Sequence, residues 1–159
     1  MKHHYQAYVQ ATHTAPKTKQ VVMLYDGAIR FVQQAKEAIS DQRIEDRYHL
    51  LVKATEVIYG LQGALDFENG GRVARILYNY YSTIDMKLFS IQHSNSLSTC
   101  DEVIEELKQM RDVWAEIDHS TQSGKVINPE AAVEPAADSG PAPAEPNGKQ
   151  PPQNVTLSA

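Results

Sequence analysis

The chain has 159 residues, a length that suits one domain, and a formal net charge of −5. A net negative charge argues against nucleic acid as the main partner, because binding to phosphates requires a basic face. Cys100 is the only cysteine, so an intrachain disulfide and a cysteine zinc cluster are excluded and a cytosolic location is the simplest expectation. No apolar run approaches the roughly 18 residues of a membrane-spanning helix, and the N-terminal sequence lacks the apolar stretch of a cleavable secretory signal.

The first 15 residues are predicted to form a short N-terminal cap segment. They are mostly polar, but Tyr5 and Tyr8 would lie one helical turn apart on the same side. Two interpretations stay open. The segment is either a frayed terminus anchored by two aromatic rings, or a detachable cap over a binding groove.

The first long helix is predicted over Pro16–Ser40, where apolar residues recur at helical spacing. Proline is tolerated in the first turn of a helix. Val22 and Ile29 on one side, and Phe31 and Ala38 on the other, widen the apolar band to roughly 200°, so it must meet more than one neighbouring helix or a partner. Met23 lies nearly opposite this band, where we expect it to face water as part of an adaptable binding surface.

The second and third helices are predicted over Ile44–Phe67 and Arg72–His93, separated by a turn at the paired glycines Gly70 and Gly71. Each helix carries large apolar residues off its core stripe. These outer residues are Tyr48, Val52 and Tyr59 on the second helix, and Tyr78, Met86 and Phe89 on the third. The short connection makes the two helices neighbours. Val52, Tyr59, Tyr78 and Phe89 could therefore form one exposed apolar patch of the kind that usually binds a partner, and scattered surface aromatics are the alternative.

The fourth helix is predicted from a capping box at Thr99 and Glu102 to about Ile117. Four amphipathic helices joined by short links predict an all-α protein, an antiparallel four-helix bundle over residues 16–120. Residues 121–159 hold most of the chain's eight prolines and no aromatic residue, so we expect a disordered tail without an assigned function.

Enzymatic chemistry is not expected from this sequence. Glu116 and His119 form one Glu-x-x-His pair, whereas di-iron bundles need two such pairs and two further glutamates. Cys100 at a helix start could have a lowered pKa, but no His or second Cys accompanies it in the sequence. We therefore predict no catalytic residue, no metal and no cofactor. A phosphotransfer bundle, in which an exposed His49 accepts phosphate, remains as an alternative function.

The order of several short motifs resembles the flagellar secretion chaperone FliS family. The motifs are Tyr5-Gln-Ala-Tyr8, Ala15-Pro16 followed by Met23-Leu24-Tyr25-Asp26-Gly27-Ala28, Lys53-Ala54 followed by Val57-Ile58 and Leu61, Leu65-Asp66 with Gly70-Gly71, Ala74, Leu77 and Tyr81, and Glu102-Val103 with Asp112-Val113-Trp114. The chain departs from the family at Ser82-Thr83-Ile84, Met86-Lys87 and Ile91-Gln92, which make the third helix more apolar and less basic outside.

The resemblance implies a cytosolic export chaperone that binds the disordered C-terminal segment of flagellin. It would prevent premature polymerisation and deliver flagellin to the export gate of the flagellar type III secretion apparatus. The residues expected to bind flagellin are Tyr5, Tyr8, Val22, Met23, Ile29, Val52, Tyr59, Tyr78 and Phe89. A helical adaptor for another flagellar client is an alternative, and pairing of the empty bundle with a second copy is left open.

Overall fold

A computed structural model describes residues 17–124, and this range contains four helices and no β-strand. The helices are α1 (Lys17–Ser40), α2 (Ile44–Gly63), α3 (Phe67–Ser94) and α4 (Leu97–Gln122). The predicted all-α fold with four helices is therefore confirmed. The cap segment with Tyr5 and Tyr8, and the tail beyond residue 124, lie outside the described residues.

The four helices pack as an antiparallel bundle. α1 contacts α2 and α4, and α3 contacts the same two helices from the other side. Lys36 Nζ and Asp101 Oδ1, 2.5 Å apart, join the end of α1 to the start of α4. Thr18 Oγ1 donates to Asp118 Oδ1 at 2.6 Å, joining the start of α1 to the end of α4. These two contacts at opposite ends show that α1 and α4 run antiparallel.

The core is apolar and consists of the stripes that the helical periodicity predicts. Its largest fully buried side chains are Tyr25, Val32, Leu51, Ile58, Tyr81, Ile84, Leu88, Ile91, Cys100, Val103 and Leu107. On α1, Ala28 and Ala35 are also fully buried, and such small side chains let neighbouring helices approach closely. Tyr25 Oη donates to Tyr81 Oη at 2.9 Å, so these two buried hydroxyl groups satisfy each other.

The junction between α2 and α3 differs from the prediction. α2 ends at Gly63 rather than Phe67, and α3 begins at Phe67 rather than Arg72. The reason is Asp66, whose carboxylate accepts from the backbone N–H groups of Glu68 and Asn69 at 3.0 Å and so caps a new helix. The predicted glycine turn is thus a helical turn followed by a kink at Gly71, whose φ of 46° glycine adopts readily.

The ends of α4 also differ from the prediction. Ser96, not Thr99, is the N-cap, because its hydroxyl accepts from the Thr99 N–H at 3.1 Å. The helix continues beyond Ile117 to Gln122. The Thr18–Asp118 hydrogen bond ties this last turn to α1, so it gains a tertiary contact that periodicity alone does not reveal.

Candidate functional site

A groove of about 690 Å³ runs along the surface between α2 and α3. Val52, Thr55 and Tyr59 line it from α2, and Met86, Leu88 and Phe89 line it from α3. Leu88 is fully buried and belongs to the core, so the floor of the groove is part of the packed interior. The antiparallel hairpin of α2 and α3 therefore assembles an apolar groove from residues more than 25 positions apart.

The walls of this groove expose large apolar side chains. Tyr59 is 54% exposed, Phe89 67% and Met86 72%, while Tyr48 at one end is 52% exposed. Val52 is half-buried between them. Apolar side chains gathered in one groove are typical of a surface that another molecule covers. Aromatic rings and the flexible methionine are also the side chains that adapt best to a partner.

Tyr78 lies apart from the groove. Its ring packs edge-on against Phe67, with centroids 6.0 Å apart. Between Tyr78 and the groove, the Gln62 amide donates to Ser82 Oγ at 3.0 Å and to the Tyr78 carbonyl at 3.3 Å. The structure thus brings Val52, Tyr59 and Phe89 together, and places Tyr78 in a second exposed aromatic pair beyond a polar bridge.

The predicted binding residues of α1 do not line the groove. Ile29 is almost fully buried in the core, and Val22 is half-buried. Met23 was expected to face water but is half-buried. Because α1 packs between α2 and α4, these three residues belong to another part of the bundle. Their role in binding stays a prediction, as does that of Tyr5 and Tyr8.

The polar residues of the groove were missed by the sequence analysis. At the end where α2 begins and α3 finishes, Arg47 donates to Asn95 Oδ1, and Gln92 Nε2 donates to the Tyr48 carbonyl at 3.2 Å. At the other end, Tyr59 Oη donates to Asp85 Oδ2 at 3.2 Å. The negative charge of Asp85 raises the pKa of Tyr59. The short connection between α2 and α3 is the sequence feature that could have shown which residues of the two helices face each other.

A second groove, of about 740 Å³, lies between α1 and α4 but is polar. The Lys36–Asp101 ion pair crosses it, and Glu37, Asp41 and Lys108 also line it. Exposed ion pairs of this kind are well hydrated and contribute little to the free energy of unfolding. This groove therefore offers no apolar surface comparable to that between α2 and α3.

The structure also places the residues considered for chemistry. Within residues 17–124, no three His, Cys, Asp or Glu side chains are grouped as a metal site would require. Cys100 is buried, and this burial raises the pKa of its thiol, contrary to the lowered value considered from its position. His49 is exposed, with its ring centroid 5.4 Å from that of Tyr48. No helix in the described part of the chain is both long and apolar enough to cross a membrane.

Comparison with known proteins relates the whole bundle to one family. Residues 1–121 match the family model described as flagellar protein FliS. The chain is 35% identical over 100 residues to the flagellar secretion chaperone FliS of Campylobacter jejuni, an alignment covering 62% of this chain and 77% of that protein. It is 31% identical over 120 residues to the flagellar secretion chaperone FliSB of Pseudomonas aeruginosa, covering 75% and 95% of the two chains. It is also 31% identical over 99 residues to the flagellar secretion chaperone FliS of Vibrio cholerae, covering 62% and 73%.

Proposed function

The chain belongs to the flagellar protein FliS family, and on this premise we propose that it is a cytosolic flagellar export chaperone whose client is flagellin. It binds the C-terminal segment of flagellin, prevents flagellin from polymerising before export, and delivers it to the export gate of the flagellar type III secretion apparatus. Its action is binding and release, and it needs no catalytic residue, metal or cofactor.

The observation that supports this proposal is the apolar groove between α2 and α3. Its exposed Tyr59, Met86 and Phe89 side chains suit the apolar face of an amphipathic helix. A disordered client that folds on binding loses conformational entropy, so it needs a large buried area. We propose that flagellin obtains this area by filling the groove and extending over Tyr78 and over the surface near Val22, Met23 and Ile29.

The N-terminal segment has a role in this proposal as a competing cap. Tyr5 and Tyr8 cover part of the binding surface until flagellin displaces them. Deleting residues 1–10 then increases the affinity for flagellin. Unchanged affinity contradicts the cap, and weaker affinity indicates instead that Tyr5 and Tyr8 contact the client directly.

The experiment that tests the main proposal is titration of the purified full-length chain with monomeric flagellin in a calorimeter. We expect a complex with one copy of each protein. Flagellin lacking its C-terminal segment is the matched control and should not bind. Absence of binding to intact flagellin contradicts the proposal.

Two further points need their own measurements. Mass spectrometry of proteins that co-purify with the chain from its native cell should identify flagellin. Recovery of a different flagellar subunit without flagellin favours the adaptor alternative.

We also propose that two empty chains pair through their exposed grooves, so light scattering should detect a dimer that flagellin dissociates. His49 is exposed and its ring contacts that of Tyr48. Nothing in this contact favours the phosphotransfer alternative over the chaperone.

A further inference from the structure

The groove between α2 and α3 differs in charge from one end to the other. Arg47 lies at the end where α2 begins, while Glu56 and Asp85 lie toward the other end. Asp46, the acidic neighbour of Arg47, is paired with Arg43 at 2.6 Å. Glu56 follows Arg47 by nine positions along α2, which at about 1.5 Å per residue corresponds to about 14 Å. The charges are thus separated by the length of a short helix.

The Arg47 end also contains two buried polar atoms without partners. Arg47 Nε and Gln92 Oε1 have no hydrogen-bond partner among residues 17–124. Buried polar atoms in proteins are almost always paired. Both side chains line the groove, but the two atoms themselves are shielded from solvent, so a bound chain can supply the missing acceptor and the missing donor only after these side chains rotate toward it.

A short bound helix has complementary needs at its two ends. Its first turn leaves four backbone N–H groups free, and its last turn leaves four carbonyl groups free. These groups carry a partial positive charge at the start of the helix and a partial negative charge at its end. A cation near the last turn and carboxylates near the first turn therefore stabilise the helix.

We propose that the groove selects the direction of the client helix. The client is an amphipathic segment that forms about ten residues of helix, with its C-terminal end against Arg47 and Gln92 and its N-terminal end against Glu56 and Asp85. On binding, the Arg47 and Gln92 side chains rotate toward the client, so that Arg47 Nε donates to a free carbonyl of the last turn and Gln92 Oε1 accepts from an N–H group just beyond it. The reverse direction places Arg47 against free N–H groups and leaves its Nε without an acceptor.

This inference rests on the proposed function, and photo-crosslinking separates the two. Tyr48→p-benzoylphenylalanine and Tyr59→p-benzoylphenylalanine place a crosslinking ring at either end of the groove in the full-length chain. The same amino acid at Gln109, an exposed position on α4, is the control. After irradiation with flagellin, mass spectrometry should show that the client residues joined at position 48 lie C-terminal to those joined at position 59.

A reversed order, or the same client residues at both positions, overturns the proposed direction while leaving client binding in the groove intact. Crosslinks that are no stronger than those at Gln109, in a complex that still forms, overturn both the direction and the use of this groove. Failure of flagellin to bind in the calorimeter contradicts the proposed function itself.

Substitutions of Arg47 test its contribution to affinity. Arg47→Gln should weaken flagellin binding about tenfold, because a hydrogen bond from a charged donor is lost. Arg75→Gln on the exposed face of α3 is the matched control and should have no effect. Arg47→Lys keeps the charge but lacks the Nε donor, so it should retain the crosslinking order with an intermediate affinity. Arg47→Gln binding as tightly as the wild-type chain overturns the role of Arg47.

Discussion

Tyr25 and Tyr81 share a hydrogen bond at the centre of the bundle, with their hydroxyl oxygens 2.9 Å apart and both side chains shielded from water. The bond links α1 to α3, which lie diagonally across the bundle because each of them packs against α2 and α4. This polar contact therefore specifies how the two helices align, which apolar packing alone does less sharply.

Removing the Tyr25 hydroxyl tests this contact. Tyr25→Phe leaves the Tyr81 hydroxyl buried without its donor, so we expect a loss of about 1–3 kcal/mol in the free energy of unfolding. Urea denaturation followed by circular dichroism measures it. The double variant with Tyr81→Phe should lose less than the sum of the two single losses, because each single variant leaves one hydroxyl unpaired. Additive losses would show that the two hydroxyls do not interact.

Alkaline pH should unfold the protein through its buried tyrosines. Burial raises the pKa of Tyr25, Tyr80 and Tyr81 above the usual value near 10. The native state then keeps protons that the unfolded chain loses. The free energy of unfolding therefore keeps its full value below about pH 10. Above that pH it decreases by about 1.4 kcal/mol per pH unit for each proton that the native state retains. Circular dichroism and tyrosinate absorbance should therefore change together. Full ionisation of all tyrosines with the helices intact contradicts this expectation.

The helices and their core stripes are predictable because each helix is amphipathic over several turns. The junction at Asp66 and Gly71 is not, since two adjacent glycines suggest a turn while the structure needs a positive φ at only one of them. A capping side chain just before the glycines outweighs their low helix propensity. Local hydrogen bonds of this kind decide helix boundaries, and periodicity does not report them.

The candidate site is predictable only in part. The apolar residues Val52, Tyr59 and Phe89 are visible as outliers from their core stripes. The polar end at Arg47 and Gln92 depends on the register between α2 and α3, which side-chain contacts set. Ile29 lies apart from these residues, and its role in binding stays a prediction. The wide apolar band on α1 indicated either a second neighbouring helix or a partner, and packing between two helices buries this residue.

Two glycines should respond oppositely to alanine. Gly71→Ala forces a side chain into a conformation with φ of 46° and should destabilise the chain by about 1–2 kcal/mol. Gly60 lies within α2, and a Cβ atom there meets nothing within 4 Å. Gly60→Ala should therefore stabilise the chain by about 0.5–1 kcal/mol. Thermal unfolding of both variants measures the difference, and equal effects would mean that the kink at Gly71 carries no strain for alanine.

Truncating a groove residue should separate client binding from stability. Phe89 is 67% exposed on the wall of the groove, so Phe89→Ala should barely change the free energy of unfolding. Since a client buries this ring, the same change should weaken flagellin binding at least fivefold. Leu97→Ala is the control, because Leu97 is an exposed apolar residue of α4 outside the groove lining.

Calorimetry of flagellin binding and urea denaturation of the free chain together test this expectation. If Leu97→Ala weakens binding as much as Phe89→Ala, the client does not distinguish the groove from other exposed apolar residues. If both variants bind normally, the groove is not the docking surface. A loss at Phe89 alone indicates that the client fills the groove, because an exposed ring affects affinity only where the partner covers it.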